Sequence, residues 1–252
     1  MLYCRKCGRP VDNTGNVCFW CWTAPAKVVL PAAPQAAAGR GYWPPGHLVG
    51  DDGAIRTVES PPAPDTDAWI EIYSHARVPI HTDPPPGTFT IECVAYGLAG
   101  EYRFSGQTNP RLTVAEHCVR TAQILGNCVP WIQLLGLLHD AAEGCGLRDM
   151  ATPIKQALGG YAEIEARFQA AILRDLGIAP PTKDEEAIVH RADQIETMTE
   201  AARLGMGYGL WKMYVAGVRP DRAAQKRIKC HPPMAAEALF LDEYHRLRGE
   251  SK

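Results

Sequence analysis

The residues of this sequence best suited to chemistry are the adjacent pair His139-Asp140 and the Glu143 that follows it. The pair ends a strongly apolar run, where an unpaired carboxylate is costly to bury, so Asp140 needs a partner. A metal ion would supply one. Because positions i and i+4 of a helix share a face, His139 and Glu143 are expected to point into one space. The pair therefore predicts a divalent metal site built on helices.

Two further residues complete a possible ligand set. His117 lies in the first turn of an upstream predicted helix, and Asp193 lies on a downstream one. The predicted metal ligands are His117, His139, Asp140 and Asp193. Mixed imidazole and carboxylate donors suit zinc, cobalt, manganese or iron rather than calcium. Each residue also has a simpler interpretation, namely a buried histidine satisfied by its neighbours, or a surface Asp193 paired with Arg191 or His190.

The elements that must position these residues are mostly helices. Helices are predicted to begin near Thr90, Thr113, Pro130, Tyr161, Thr182 and Pro232. Thr113 and Thr182 are each followed three residues later by Glu, the spacing of a capping box. Apolar residues recur every three to four positions after each start, as on the buried face of a helix. Only a short β-hairpin, Trp69–Tyr73 with Arg77–Ile80, interrupts this pattern, so the predicted fold class is an all-α bundle.

Composition bounds the function. The chain has 252 residues, and its hydrophobic fraction of 46% is enough for a packed core. Its net charge of −2 excludes a protein that binds nucleic acid through overall positive charge. No apolar run is long enough to span a bilayer, and the start lacks the apolar segment of a signal peptide. We therefore expect a cytoplasmic protein with reduced thiols, in which the nine cysteines act as ligands or core residues.

The chain divides into three predicted parts. Residues 1–22 carry two Cys-x-x-Cys pairs, formed by Cys4, Cys7, Cys18 and Cys21. Four thiolates can close a tetrahedral site around a structural zinc, which predicts a zinc ribbon; a redox dithiol is the alternative, but it accounts for one pair at a time. Residues 23–66 are a Pro/Ala/Gly-rich linker. Residues 67–252 carry the periodic pattern of the helical domain.

The order His, His-Asp, Asp on three predicted helices resembles that of the HD-domain phosphohydrolase superfamily. Within it, the chain resembles the bacterial HD-domain 5′-deoxynucleotidases and their phage relatives, including phage dATP triphosphohydrolases. The resemblance covers roughly residues 68–205. The segments that carry it are Phe89–Leu98, Tyr102–Gly106, Thr113–His117, His139–Glu143, Asp149–Lys155 and Ala192–Asp193. It implies an HD-domain helical bundle with the metal ligands predicted above.

The resemblance also implies roles for other residues. Glu143 and Asp149 would handle the attacking water and the leaving-group proton. The implied substrate-binding residues are Tyr102, Arg103, Phe104, Pro153 and Lys155. Arg103 and Lys155 would bind phosphate oxygens, because cations stabilise the charge that grows there; otherwise they are solvated surface charges. Phe104, together with Tyr102, would stack on the base or sugar, while Pro153 shapes the pocket wall or only starts a helix.

Two departures from the bacterial enzymes accompany the resemblance. Phe104 stands where those enzymes have Trp, and the stretch from Asp140 to Asp149 is one residue longer. We expect Gly144-Cys-Gly146 to absorb the extra residue as a loop. The zinc ribbon and the long linker also lie outside the usual family pattern.

The reaction that the resemblance implies is metal-dependent hydrolysis of a deoxynucleotide phosphoester, giving a deoxynucleoside plus phosphate or triphosphate. The basic run Arg219–Lys229 would meet the distal phosphates of a triphosphate, or it is a solvated face. A small-molecule substrate and a homo-oligomer are the implied partners; nucleic acid is expected only through the ribbon. Two other classes stay open: an HD-type phosphodiesterase of cyclic or signalling nucleotides, and a non-enzymatic adaptor that works through the zinc ribbon.

Overall fold

The structure, a computed structural model, describes residues 68–206 and 211–249, apart from the side chains of residues 211 and 212, and the backbone of four short strands nearer the N-terminus. The strands are β1 Leu2–Tyr3, β2 Pro10–Val11, β3 His47–Val49, β4 Ile55–Thr57, β5 Trp69–Glu71 and β6 Arg77–Pro79. They pair as three antiparallel hairpins, β1 with β2, β3 with β4 and β5 with β6. The predicted zinc ligands Cys4, Cys7, Cys18 and Cys21 lie outside the described residues.

Helices make up most of the described chain. They are α1 Ile91–Gly100, α2 Val114–Ile124, α3 Pro130–Leu138, α4 Thr152–Ala157, α5 Tyr161–Asp175, α6 Lys183–Leu204, α7 Trp211–Val215, α8 Arg222–Gln225 and α9 Pro233–Arg248. The all-α class and the β5–β6 hairpin are therefore confirmed. Among the residues described, no helix combines the length and the apolar character that crossing a bilayer requires.

Threonine side chains start the helices where the sequence predicted. The hydroxyl of Thr182 accepts from the backbone N–H of Glu185, whose carboxylate accepts in return, so this capping box is complete. The box predicted at Thr113 is only half formed. The carboxylate of Glu116 instead accepts hydrogen bonds from the backbone N–H groups of residues 229–231. These bonds anchor the segment that precedes α9.

The core surrounds helix α2. Helices α1, α3, α6 and α9 all pack against it, and every residue from Val114 to Ala122 is buried. Fully buried side chains that fill the remaining core are Val94, Leu98, Leu137, Leu138, Phe168, Ile172 and Phe240. This packing places His117, on α2, in the interior of the bundle with no exposed surface.

Helix α1 packs against a π-helical turn, Glu143–Leu147, at the point where a loop was predicted. The two backbones approach so closely that a Cβ atom on Gly97 would lie 1.7 Å from the carbonyl oxygen of Gly144. A wide π turn accommodates an additional residue within a helical path. The stretch predicted as a loop is therefore a compact turn, which holds Glu143 against α1.

Candidate metal centre

Two imidazoles and two carboxylates from three segments of the chain converge inside the bundle. Nε2 of His117 lies 3.3 Å from Nε2 of His139 and 3.3 Å from Oδ1 of Asp193. Oδ2 of Asp140 lies 3.6 Å from the first of these nitrogens and 3.2 Å from the second. Since a cation such as Zn²⁺ sits about 2.0–2.2 Å from such donors, atoms up to about 4.4 Å apart can share it. The structure thus brings together all four predicted ligands.

Hydrogen bonds orient both imidazoles toward a metal. Nδ1 of His117 lies 2.8 Å from Oε1 of Glu200, and Nδ1 of His139 lies 2.8 Å from the carbonyl oxygen of Gly136. A carboxylate and a carbonyl accept hydrogen bonds, so Nδ1 keeps its proton in the neutral form of each ring, the form that binds a metal. Each Nε2 then presents its lone pair to the shared space, as metal-ligating histidines do. The donor set therefore fits a divalent cation.

The sequence predicted that His139, Asp140 and Glu143 lie on one continuous helix, but the structure interrupts that helix. Helix α3 ends at Leu138, and His139 and Asp140 form the turn that follows. The ring of His139 bonds to the Gly136 carbonyl, one of the backbone acceptors that a helix end leaves without a partner. Glu143 lies in the π turn, where its Oε1 accepts from Nζ of Lys155 at 2.8 Å.

Helix α6 supplies two residues that the sequence analysis did not single out. Thr197 donates from its hydroxyl to Oδ1 of Asp193 at 3.1 Å, and Glu200 accepts from His117. With Asp193 they follow the i, i+4, i+7 spacing of one helix face. Glu200 is fully buried, and a buried acid needs a partner. The sequence signal for Thr197 and Glu200 was their spacing from Asp193, which puts three polar residues on one face of a predicted helix.

Asp193 is only partly exposed, and its shortest contact to a histidine is with His117 of the site. Its side chain is 24% exposed, and the nearest of the two proposed partners, His190, lies 4.0 Å away. Arg191 bonds instead to Gln194 and to the carbonyl of Gly217. Asp193 thus lies closer to the imidazoles of His117 and His139, at 3.3 and 3.8 Å, than to that of His190.

Arg103 joins this site through the same two residues of α6. Its Nε donates to Oε2 of Glu200 at 3.3 Å, and its Nη2 donates to the Thr197 hydroxyl at 2.9 Å. Nη1 lies 3.6 Å from Oδ1 of Asp149. Arg103, whose side chain is 12% exposed, is thus a largely enclosed member of the site rather than a solvated surface charge. Its guanidinium is connected to metal ligands on both α2 and α6.

Lys155 lies in a second ionic cluster beside the first. Its Nζ donates to Glu143 at 2.8 Å and to Glu165, which the sequence analysis did not single out, at 2.6 Å. Burial raises the pKa of Glu143, the charges of Asp140 and Asp149 raise it further, and Lys155 opposes them; the result is about 8. Burial also raises the pKa of Asp149, against the opposing charge of Arg103. Both carboxyls therefore hold protons more strongly than an exposed acid does.

The ligand carboxylates stay ionised. Burial opposes their charge, but the adjacent histidines hold the pKa of Asp140 and of Asp193 below its ordinary value. Burial and Arg103 lower the pKa of His117, yet the carboxylates of Glu200 and Asp193 raise it to about 10. The carboxylates of the site therefore favour positive charge at His117, whether as a proton on the imidazole or as a metal cation beside it.

The remaining predicted substrate residues differ in their placement. Phe104 is half-buried and adopts a left-handed backbone conformation, with φ of 57°, in the 3₁₀ turn Arg103–Gly106. Such strained backbone is often retained at functional sites. Tyr102 forms an isolated β-bridge with Thr113, so it lies beside the start of α2. Pro153 is exposed in the first turn of α4, which matches its interpretation as a helix-start proline.

Comparison with known proteins places the chain in a family. No protein-family model matches it. It is 32% identical over 189 residues to uncharacterized protein RCAP_rcc00048 of Rhodobacter capsulatus, a match that covers 71% of this chain and 94% of that protein. It is 30% identical over 160 residues to uncharacterized protein YfdR of Escherichia coli, covering 62% of this chain and 83% of that protein. The chain belongs to the same family as these two proteins. Neither name states an activity, so the chemistry of the family has to be argued from the site itself.

Proposed function

We propose that the chain is a metal-dependent phosphohydrolase of the HD-domain type, acting on deoxynucleotides. The substrate is a deoxynucleoside monophosphate or triphosphate, and the products are the deoxynucleoside plus phosphate or triphosphate. The observation that carries the proposal is the convergence at the two imidazoles: their Nε2 atoms lie 3.3 Å apart, and one oxygen each of Asp140 and Asp193 lies 3.2–3.8 Å from both. Arg103 bonds to Glu200 and Thr197, which contact His117 and Asp193.

The residues that would hold the cation are His117, His139, Asp140 and Asp193. When bound, a divalent cation there would supply Lewis acidity to a phosphoryl oxygen and to water. The protein contributes the orientation of the donors, since Glu200 and the Gly136 carbonyl fix the two imidazole rings. Mixed nitrogen and oxygen donors favour Mn²⁺, Co²⁺, Fe²⁺ or Zn²⁺.

Arg103 and Lys155 would bind the phosphate oxygens. Each is held by carboxylates in the structure, Arg103 by Glu200 and Lys155 by Glu143 and Glu165. Fixed cations need no reorganisation when negative charge develops on the phosphoryl group, so they stabilise the transition state more than the ground state. A phosphate between these side chains would replace part of their present ion pairing.

Glu143 and Asp149 would exchange protons with the reacting groups. The raised pKa of Glu143, about 8, means that this carboxyl can hold or release a proton near neutral pH. Asp149 lies beside Arg103, 3.6 Å from its Nη1, where the phosphate is expected to bind. One carboxyl would orient and deprotonate water while the other protonates the departing sugar oxygen.

The basic run Arg219–Lys229 would decide whether the site binds a monophosphate or a triphosphate substrate. Glu116 and Arg120, which flank His117 on α2, bond to the backbone of Lys229 and of Ala224. The run is therefore fixed against the helix that carries a metal ligand. A triphosphate substrate would use its exposed cations, whereas a monophosphate substrate would leave them in solvent.

The test is a hydrolysis panel on the purified full chain. Deoxynucleoside monophosphates, triphosphates and cyclic nucleotides are each supplied with Mn²⁺, Co²⁺, Zn²⁺ or Mg²⁺. We expect release of a deoxynucleoside that Asp193→Ala abolishes and that Asp184→Ala, an exposed acid in the first turn of the same helix, retains. Turnover of cyclic nucleotides alone would replace the proposed substrate. Activity that survives Asp193→Ala would contradict the metal site.

A further inference from the structure

A cysteine adjoins the predicted ligands and takes part in a second donor group. Cys118 follows His117 on α2 and is fully buried. One donor atom each of Cys118, His139 and Asp140 lie within 4.8 Å of one another. Sulfur, imidazole nitrogen and carboxylate oxygen are thus gathered at one point, beside the group formed by His117, His139 and Asp193.

We propose that Cys118, His139 and Asp140 form a second cation site, which binds a thiophilic divalent ion such as Zn²⁺ or Cd²⁺. On binding, the thiol releases its proton to solvent and a sulfur–metal bond forms, with no change of oxidation state. The site shares His139 and Asp140 with the four-residue set, so a soft ion held by Cys118 and a harder ion held by Asp193 exclude each other.

The chemistry of sulfur supports this assignment. Thiolates favour soft and borderline ions such as Cd²⁺ and Zn²⁺, whereas carboxylates and water suit Mn²⁺ and Mg²⁺. Among the described cysteines, only Cys118 belongs to a group of three potential ligands. Cys93 and Cys145 contact each other instead. Replacing one soft donor while keeping the imidazole and the carboxylate should therefore change which ions bind more than it changes whether ions bind.

The test compares Cd²⁺ and Mn²⁺ binding to the chelator-treated full chain, and it does not depend on nucleotide hydrolysis. Cd²⁺ is titrated while the thiolate-to-cadmium charge-transfer absorption is recorded, and Mn²⁺ binding is measured by electron paramagnetic resonance. Wild type is compared with Cys118→Ser and with the matched control Cys128→Ser, a half-buried cysteine outside both donor groups. Cysteines elsewhere contribute equally to each variant, so the difference spectrum isolates Cys118.

We expect Cys118→Ser to lose part of the charge-transfer absorption and to bind Cd²⁺ about tenfold or more weakly at this site, with Mn²⁺ affinity within about threefold of wild type. In wild type, Cd²⁺ should displace bound Mn²⁺. Absorption and Cd²⁺ affinity that are the same in Cys118→Ser and Cys128→Ser would overturn the proposal. Cys118→Ala serves as the second variant if the serine hydroxyl prevents folding, and the same outcomes apply to it.

Discussion

Oε1 of Glu200 lies 2.8 Å from Nδ1 of His117, and both side chains are completely buried. The other carboxylate oxygen accepts from Nε of Arg103. One acid therefore orients a predicted metal ligand and a predicted phosphate-binding residue at once. Thr197 has the same double contact, with Arg103 and Asp193. Cation binding and substrate binding are thus connected through a single face of helix α6.

Removing the charge of Glu200 should weaken cation binding. Glu200→Gln keeps the shape of the side chain, but an uncharged acceptor holds the His117 N–H less strongly and lowers the basicity of Nε2. Outer partners of metal-ligating histidines typically contribute about 10–100-fold to metal affinity, and we expect a loss in this range. Calorimetric titration with Mn²⁺ or Co²⁺ measures it.

The matched control for this change is Glu196→Gln. Glu196 is equally buried and lies one turn earlier on the same helix, but it pairs with Arg120 rather than with a metal ligand. The cation affinity of the Glu196→Gln variant should stay within about threefold of that of wild type. Equal losses in the two variants would show that buried charge on α6 matters in general and that the contact to His117 does not.

Substituting Arg103 should impair the reaction even when the positive charge is kept. In Arg103→Lys a single ammonium cannot make the separate bonds to Glu200 and Thr197 that the guanidinium makes. We expect kcat/KM for the preferred deoxynucleotide to fall about 100-fold or more. Arg111→Lys is the control, because Arg111 is exposed and contacts only the nearby ring of Tyr102 among the interactions described. Unaltered kinetics in Arg103→Lys would exclude the phosphate role.

Glu196 should make stability depend on pH. Burial raises its pKa, the charge of Glu200 raises it further, and Arg120 opposes them, giving about 7 against an ordinary 4.5. A raised carboxyl pKa means that the folded protein binds the proton more tightly than the unfolded chain. Its contribution to stability is therefore complete below pH about 4.5 and is lost as the pH rises through about 7.

Urea denaturation at several pH values, with a chelator present, tests this expectation. The free energy of unfolding of wild type should fall relative to that of Glu196→Gln between about pH 5 and about pH 8. Glu186→Gln, an exposed residue on the same helix, should follow wild type. Parallel pH profiles for wild type and Glu196→Gln would mean that Glu196 is ionised throughout.

The close contact between α1 and the π turn should leave no room for a side chain at Gly97. In Gly97→Ala the added Cβ would meet the backbone of Gly144 at 1.7 Å, and a backbone carbonyl cannot turn away as a flexible side chain can. We expect a loss of about 3 kcal/mol in the free energy of unfolding. Gly100→Ala, at the end of the same helix, meets nothing within 4 Å and should change it by less than about 1 kcal/mol. Similar denaturation midpoints for the two variants would contradict this close approach.

Local signals in the sequence predicted most of the helical framework. A threonine side chain caps a helix through atoms only three residues away, so Thr90 and Thr182 could be recognised without tertiary information. Pro130 at the first helical position acts equally locally. Where a side chain has a distant alternative partner, the local signal failed: Glu116 follows Thr113 with capping-box spacing but binds the backbone at residues 229–231.

The sequence by itself determined the chemical types of the candidate site, because two histidines and two aspartates in a set order already restrict which ions and reactions suit them. Only the tertiary structure decided which other residues complete it. Glu200 reaches His117 because helices α2 and α6 pack against each other, and Cys118 lies close to His139 because helix α3 packs against α2. The contact between His117 and Glu200 joins residues 83 positions apart, so it depends on how whole helices pack, and no short spacing in the chain encodes it.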